Sequence, residues 1–404
     1  MRWTLLLTMI CCSASLASAA VFPGIDVLAA RDFDILAGKR IGLITNQTGR
    51  SRDGRSTIDM LSKAPGVRLV ALLSPEHGIR GIEDEKVSSG FDAGTGLPVH
   101  SLYGKTCRPT PEMLKGVDLL LFDIQDIGTR FYTYIGTLSL AMRAARLANI
   151  PFVVLDRPNP IGGLVVSGAI PNSSLPEKSS GCGAITSIHP IPTRHGMTMG
   201  ELAQLFNAEF GIGCKLTVIP MHGWMREMYL DETGLAWVDT SPSMRSLDAA
   251  LLYPGLGVLE STSISVGRGT ERPFQRYGAP WVDAGAVVAN LAQRKIQGLS
   301  FAPCTFIPEA PGHQYKGKIC FGVSVTVTER ENLDPVLIGL HLVQAFYETH
   351  PGRFRPYGGF ATMVGDREAW VLLTGKGTAP KVVMARWEKD LEQFRKVRAR
   401  YLLY

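Results

Sequence analysis

Arg40-Ile41-Gly42-Leu43-Ile44-Thr45-Asn46 is a short apolar run that closes in turn residues, the pattern of a strand buried on both faces of a parallel sheet. Outward from it the chain alternates between strand and helix. Residues 56–64 read as a helix, 67–73 as a second apolar strand, 117–124 as a third, 134–147 as a long helix and 152–156 as a fourth strand. Thr110-Pro111-Glu112 reads as a further helix start, with Thr110 as N-cap and Pro111 in the first helical position. Repeated βα units of this kind predict an α/β fold, a Rossmann-like and mostly parallel sheet with helices on both faces. The dinucleotide fingerprint G-x-G-x-x-G is missing after the first strand, where Thr45-Asn46-Gln47-Thr48-Gly49 stands instead. That argues against a nicotinamide cofactor, and neither a cofactor nor a metal is expected.

Residues 157–197 are rich in Pro, Gly and Ser and suit a long connection or a site-bearing surface. Thr198-Met199-Gly200-Glu201 forms a capping box that opens a helix over 201–210. A second, smaller α/β (α+β) region follows, with helices expected at 283–294, 334–347 and 379–402 and strands at 215–220 and 319–328. The last helix sets Val382, Val383, Trp387, Leu391, Phe394 and Val397 against a basic face, as a helix docked on a core does. The expected division is a signal peptide at 1–20, a Rossmann-like domain at 21–165 that extends to about 245 through the connection, and a C-terminal domain at 246–404.

The 404 residues suit two domains, and 45% hydrophobic with 19% charged residues excludes intrinsic disorder. A net charge of +6 is mild and unclustered before the last helix, so nucleic acid is a poor candidate partner. Arg2, the apolar stretch 5–12 and the small residues Ala17-Ser18-Ala19-Ala20 have the order of a secretory signal with cleavage near Ala19/Ala20. Ile10 before Cys11 does not suit a lipid-attachment site, and no later stretch reaches bilayer-spanning length. An exported, periplasmic or extracellular protein without stable membrane insertion is expected. Cys107, Cys182, Cys214, Cys304 and Cys320 remain after the leader; their odd number leaves at least one free thiol.

Ligands of open parallel sheets bind beyond the carboxyl ends of the strands. Four such ends carry polar loops here: Asn46-Gln47-Thr48-Gly49, Ser74-Pro75-Glu76-His77-Gly78-Ile79-Arg80-Gly81, Asp123-Ile124-Gln125-Asp126-Ile127-Gly128-Thr129-Arg130-Phe131-Tyr132-Thr133-Tyr134 and Asp156-Arg157-Pro158-Asn159-Pro160. Glu76, behind an apolar strand and Pro75, is the first candidate for a general acid; its other reading is a turn cap or a partner of Arg80. His77 could orient it. Asp123, Asp126 and Glu260 are candidates for a second carboxylate, Asp123 also reading as a loop tether. Arg130, Arg157, Arg194 and Arg268, all in Gly/Pro-rich loops, are candidates to grip an anionic group, with Arg194-His195-Gly196 just ahead of a helix N-terminus. Tyr132, Tyr134 and Trp281 could stack on a sugar, although such aromatics are commonly core. There is no G-x-S-x-G elbow, H-E-x-x-H pair or P-loop.

Taken together, these motifs, with Gly24-Ile25-Asp26, Arg194-His195-Gly196-Met197-Thr198 and Val266-Gly267-Arg268-Gly269-Thr270, resemble the NamZ/YbbC family of exo-β-N-acetylmuramidases over the whole chain after the leader. The resemblance implies a Rossmann-like domain joined to a smaller one with the cleft between them. It implies removal of N-acetylmuramic acid (MurNAc) from non-reducing ends of peptidoglycan fragments, with MurNAc–GlcNAc and muropeptides as substrates. The family's catalytic glutamate would fall on Glu76. Asp126 and His77 are the other expected catalytic residues, and Asn46, Gln125, Arg130, Tyr132, Arg157, Asn159, Arg194, His195 and Arg268 the expected substrate contacts. One departure stands out: where the family pattern has Ser-Pro-Asn, the chain reads Ser241-Pro242-Ser243, which bears on affinity or aglycone choice.

Retaining, inverting and substrate-assisted mechanisms all remain open at this level. The rival from another class is an exported binding protein for muropeptides or other anionic sugars, which would use the same arginines and aromatics without needing an acid. An esterase or amidase ranks last: Ser263 and Ser265 are the serines near the glycine loop, and neither has an elbow sequence.

Overall fold

The computed structural model describes residues 20–81, 88–172 and 185–404. The expected signal peptide lies outside the described residues except for Ala20. Along the first half run α1 (Gly24–Ala29), β1 (Arg40–Thr45), α2 (Thr57–Lys63), β2 (Arg68–Ser74), β3 (Gly90–Phe91), β4 (Pro98–Ser101), β5 (Leu119–Asp123), α3 (Thr133–Leu147), β6 (Phe152–Leu155), α4 (Met199–Glu209) and β7 (Leu216–Ile219). The strands form one seven-stranded sheet in the order β3-β4-β2-β1-β5-β6-β7. Every pairing is parallel except β3 with β4.

Alternation along the strands gives this sheet two cores. Ile41, Leu43, Leu72, Leu119, Leu121, Val153 and Leu155 point to the face covered by α1 and α2, through Ile25, Leu28, Ile58 and Leu61. Ile44, Leu73, Leu120, Phe122, Phe152 and Val154 point to the other face, under Leu138 and Met142 of α3 and Leu202 and Phe206 of α4. Burial on both faces is why the strands read as continuous apolar runs. The chain leaves β1 for β2 on one side and resumes with β5 on the other, so the switch point lies between the carboxyl ends of β1 and β5.

The second half contains α5 (Leu247–Leu256), β8 (Arg276–Ala279), α6 (Ala284–Gln293), β9 (Leu299–Phe306), β10 (Cys320–Val327), α7 (Pro335–Thr349), α8 (Phe360–Val364), α9 (Pro380–Ala385) and α10 (Glu388–Arg398). Its three strands form an antiparallel sheet in the order β8-β10-β9. Its core is continuous with that under α3 and α4, so the two halves share one apolar cluster. No helix among the described residues is long and apolar enough to cross a membrane.

Several expectations need correction. The stretch after Thr110 makes a single turn, with the Leu114 N–H on the Thr110 carbonyl, and Gly116 at φ +82° ends it before a helix can propagate. The expected helix at 379–402 is interrupted at Arg386-Trp387, where buried Trp387 donates its indole N–H to Asp366 at 2.9 Å. Val382 faces solvent and not the core. Much of the Pro/Gly-rich connection is buried: residues 156–163 and 191–201 lie inside the protein, tied to the loop after β5 by bridges between Arg194 and both Ser167 and Thr129. Cys107 is disulfide-bonded, while Cys214, Cys304 and Cys320 are free thiols.

The α5–α7 crossing requires glycine on both helices. A Cβ on Gly255 would stand 1.5 Å from the Pro335 carbonyl oxygen, and one on Gly339 would stand 2.2 Å from the Gly255 oxygen. Gly255→Ala is therefore expected to cost at least about 1–3 kcal/mol by overpacking. Gly358→Ala, where nothing lies within 4 Å, should shift the urea midpoint far less. Equal midpoints for the two variants would contradict this packing.

Candidate active site

Glu76 stands where β2 ends, and the turn that carries it is unusual. His77 has φ +69° and Gly78 φ +75°, so two consecutive residues are left-handed. For a histidine that conformation is uncommon, and strain of this sort persists where the surroundings enforce it. The half-buried Glu76 carboxyl accepts the Thr133 hydroxyl at 2.5 Å, and Thr133 is the first residue of the 15-residue helix α3. Tyr103, just beyond β4, stands near Glu76; burial first and the Glu76 charge second hold that phenol neutral. The Thr133 hydroxyl is able to donate to a carboxylate or accept from an acid, so its contact suits Glu76 before and after proton transfer.

An aromatic wall stands beside it. Tyr132 and Tyr134 meet edge-on at 5.0 Å, and Tyr132 meets Tyr253 of α5 at 5.9 Å. The Tyr132 and Tyr134 hydroxyls are fixed by Thr240, at 2.7 Å to its hydroxyl and 2.5 Å to its carbonyl. Burial, foremost, keeps these phenols un-ionised, and the charges of Asp126 and Glu76 add to it. Asn46 belongs to the same cluster, donating to the Tyr134 oxygen at 3.0 Å and accepting from the Thr48 N–H and hydroxyl.

Across the cleft, Arg268 donates its Nε–H to Glu260 at 2.5 Å, and the Tyr253 hydroxyl approaches the other Glu260 oxygen at 3.4 Å. Glu260, Ser265, Arg268, His313 and Gln314 border a cavity of about 220 Å³. Tyr132, whose neighbour Thr133 holds Glu76, packs on Tyr253, whose hydroxyl approaches Glu260. Glu76 from the first half and Glu260 with Arg268 from the second therefore flank one aromatic cluster. A narrower cavity of about 60 Å³ lies at the β1/β5 switch point, lined by Thr48, Gln125, Arg157 and Trp237. A larger cavity, about 650 Å³, lies elsewhere, against α8 and Trp387, and none of the four strand-end loops lines it.

Most of the other expected site residues are placed in the framework and not at the cleft surface. Arg157 makes a two-pronged pair with Asp123, at 2.5 and 2.9 Å, and Thr57 donates to the same carboxylate. Arg130 is sealed and spends its terminal nitrogens on Ser187, Thr193 and the carbonyls of Thr362 and Met363, joining the connection to α8. Arg194 donates to the Ile161 carbonyl, and Asn159 bridges Met197 and Ile161. His195 accepts the Met197 N–H on Nδ1, and burial together with the nearby Arg398, Arg194 and Arg130 pushes its pKa down to about 3. Gln125 ties its own loop to the Pro158 carbonyl at 2.7 Å. Trp281 donates to Tyr315 in the second half, and Ser243 is buried.

Asp126 is buried as well. One oxygen accepts the Gly128 N–H at 2.7 Å, the other is buried with no hydrogen-bond partner among the described residues, and desolvation raises its pKa to about 7. A carboxyl whose folded pKa lies above its unfolded one contributes fully below the unfolded value and loses stability as pH rises through the folded one. Asp126→Asn, which mimics the neutral form, is thus expected to gain stability over wild type increasingly from pH 4 to pH 7 and to level off above. A difference independent of pH, measured by chemical denaturation, would contradict this assignment.

Sequence reasoning missed Tyr103, Thr133 and Tyr253. Tyr103 follows β4, a four-residue strand too short to register as a strand, so its carboxyl end was not recognised. Thr133 lies within the strand-end motif that closes at Tyr134 but is assigned no role there, and Tyr253 carries no motif, so only the packing of α5 brings it to the site.

Residues 41–248 match the family described as "Exo-beta-N-acetylmuramidase NamZ, N-terminal", and residues 251–404 match the corresponding C-terminal family. The chain is 44% identical over 386 residues to "Peptidoglycan beta-N-acetylmuramidase NamZ" of Bacillus subtilis, covering 94% of this chain and 91% of the relative. Crystal structures of two DUF1343 family proteins from Bacteroides fragilis superpose with TM-scores of 0.84 and 0.77, at 38% and 31% identity. Each covers 96% of this chain and 99% of the other.

Proposed function

The chain belongs to the NamZ family of exo-β-N-acetylmuramidases, and on that footing we propose that it is a glycosidase that releases MurNAc from the non-reducing ends of peptidoglycan fragments. The observation that carries the reading is Glu76, half-buried beside a left-handed turn and held by the Thr133 hydroxyl at the carboxyl end of β2. In this reading Glu76 protonates the leaving glycosidic oxygen, and Thr133 holds the carboxyl in line for that transfer. His77 shapes the turn. The lactyl carboxylate of MurNAc calls for a cation at the cleft, and Arg268, bordering the cavity near Tyr103, is in place to meet it. Residues 1–20 direct export, so the enzyme acts outside the cytoplasm on MurNAc–GlcNAc ends and on muropeptides that present them.

The test is hydrolysis of MurNAc–GlcNAc beside GlcNAc–GlcNAc by the purified protein without its leader. A site built to bind the lactyl group should prefer the first by at least roughly 10²-fold, because its polar groups go unpaired with the second. Binding of MurNAc–GlcNAc without turnover would favour a binding protein and overturn the enzyme reading.

A further inference from the structure

An acid alone does not complete glycoside cleavage; most such enzymes set a second carboxyl on the opposite face of the sugar. At the strand ends, Asp123 and Asp156 are wholly buried and Asp126 nearly so, each saturated or turned inward. Glu260 differs. Its side chain is 19% exposed, it borders the cavity of about 220 Å³, and it enters the site from the other half of the molecule, on the short turn Gly257–Ser261 after α5. Among the described residues, Thr133 donates to Glu76, while Arg268 and Tyr253 donate to Glu260.

We propose that Glu260 is the second catalytic carboxylate, the base that activates water against the anomeric carbon. The inference rests on the glycosidase reading above. As the C1–O bond breaks, its electron pair leaves on the glycosidic oxygen, which takes the proton of Glu76. Water adds to C1 from the opposite face and gives its proton to Glu260. Glu76 ends ionised and Glu260 protonated, and one proton exchanged through solvent resets the pair. The cavity beside Glu260 gives that water a place, and attack from the face opposite the leaving group is the course of inverting enzymes.

The experiment compares wild type with Glu260→Gln and Glu260→Ala on MurNAc–GlcNAc, with the first-formed anomer followed by NMR. The expected results are α-MurNAc as the initial wild-type product, a loss in kcat of at least roughly 10²-fold in both variants, and rescue of Glu260→Ala by azide with an α-glycosyl azide as product. Rescue shows in itself that the variant is folded. Initial β-MurNAc, or variants within tenfold of wild type, would overturn the assignment while leaving the muramidase reading intact. No turnover by wild type would remove the reading on which it rests.

Discussion

Glu76→Gln is expected to lose about 10²–10⁴-fold in kcat on MurNAc–GlcNAc, and considerably less on para-nitrophenyl β-MurNAc. The substitution keeps the shape of the side chain and its contact with Thr133 but removes the transferable proton. A sugar alkoxide is a strong base and cannot leave without that proton, whereas nitrophenolate is weakly basic and can. The dependence on leaving group therefore separates an acid from a residue that merely shapes the turn, which would depress both substrates alike. Circular dichroism and the denaturation midpoint should stay near wild type. Equal losses on the two substrates would count against Glu76 as the acid.

The second large effect concerns stability. Arg157→Met is expected to destabilise the protein by about 3–5 kcal/mol, because it leaves the Asp123 carboxylate buried beneath the sheet edge without its partner. Adding Asp123→Asn should recover much of that loss, since a neutral amide carries no charge to desolvate. Chemical denaturation of the two single variants and the double variant measures the coupling. If Arg157 instead gripped substrate, Arg157→Met would keep its denaturation midpoint and raise KM. The distinction matters because Arg157 was read from sequence as a substrate contact, and its burial says that it holds the β1, β5 and β6 ends together.

The parts of the fold that were legible share one property: local pattern and tertiary role agree. The apolar runs of β1, β2, β5 and β6 are buried on both faces; Thr198 caps the helix it was expected to cap, and Ser56, Asp283 and Asp334, expected as the first residues of their helices, are the N-caps one position ahead of them. The illegible parts are those decided at a distance. β3 and β4 total six residues, β9 alternates weakly because it is an exposed edge, and α5 carries Pro254 within an apolar run. The site divides in the same way. Glu76 was visible because a carboxyl behind an apolar strand and a proline is an odd placement. Whether Arg130, Arg157 and Arg194 are ligand-facing or sealed depends on partners 34 to 233 positions away for the first two, which no window of sequence contains. Arg194, too, reaches back to Ile161.

The most direct test of the account is a crystal structure of Glu76→Gln with MurNAc–GlcNAc bound. The sugar should lie between the Glu76 loop and the Glu260–Arg268 pair, with the glycosidic oxygen within hydrogen-bonding distance of residue 76. A disaccharide seated instead at the β1/β5 cavity beside Arg157 and Trp237, or against Trp387, would contradict the placement of the active site.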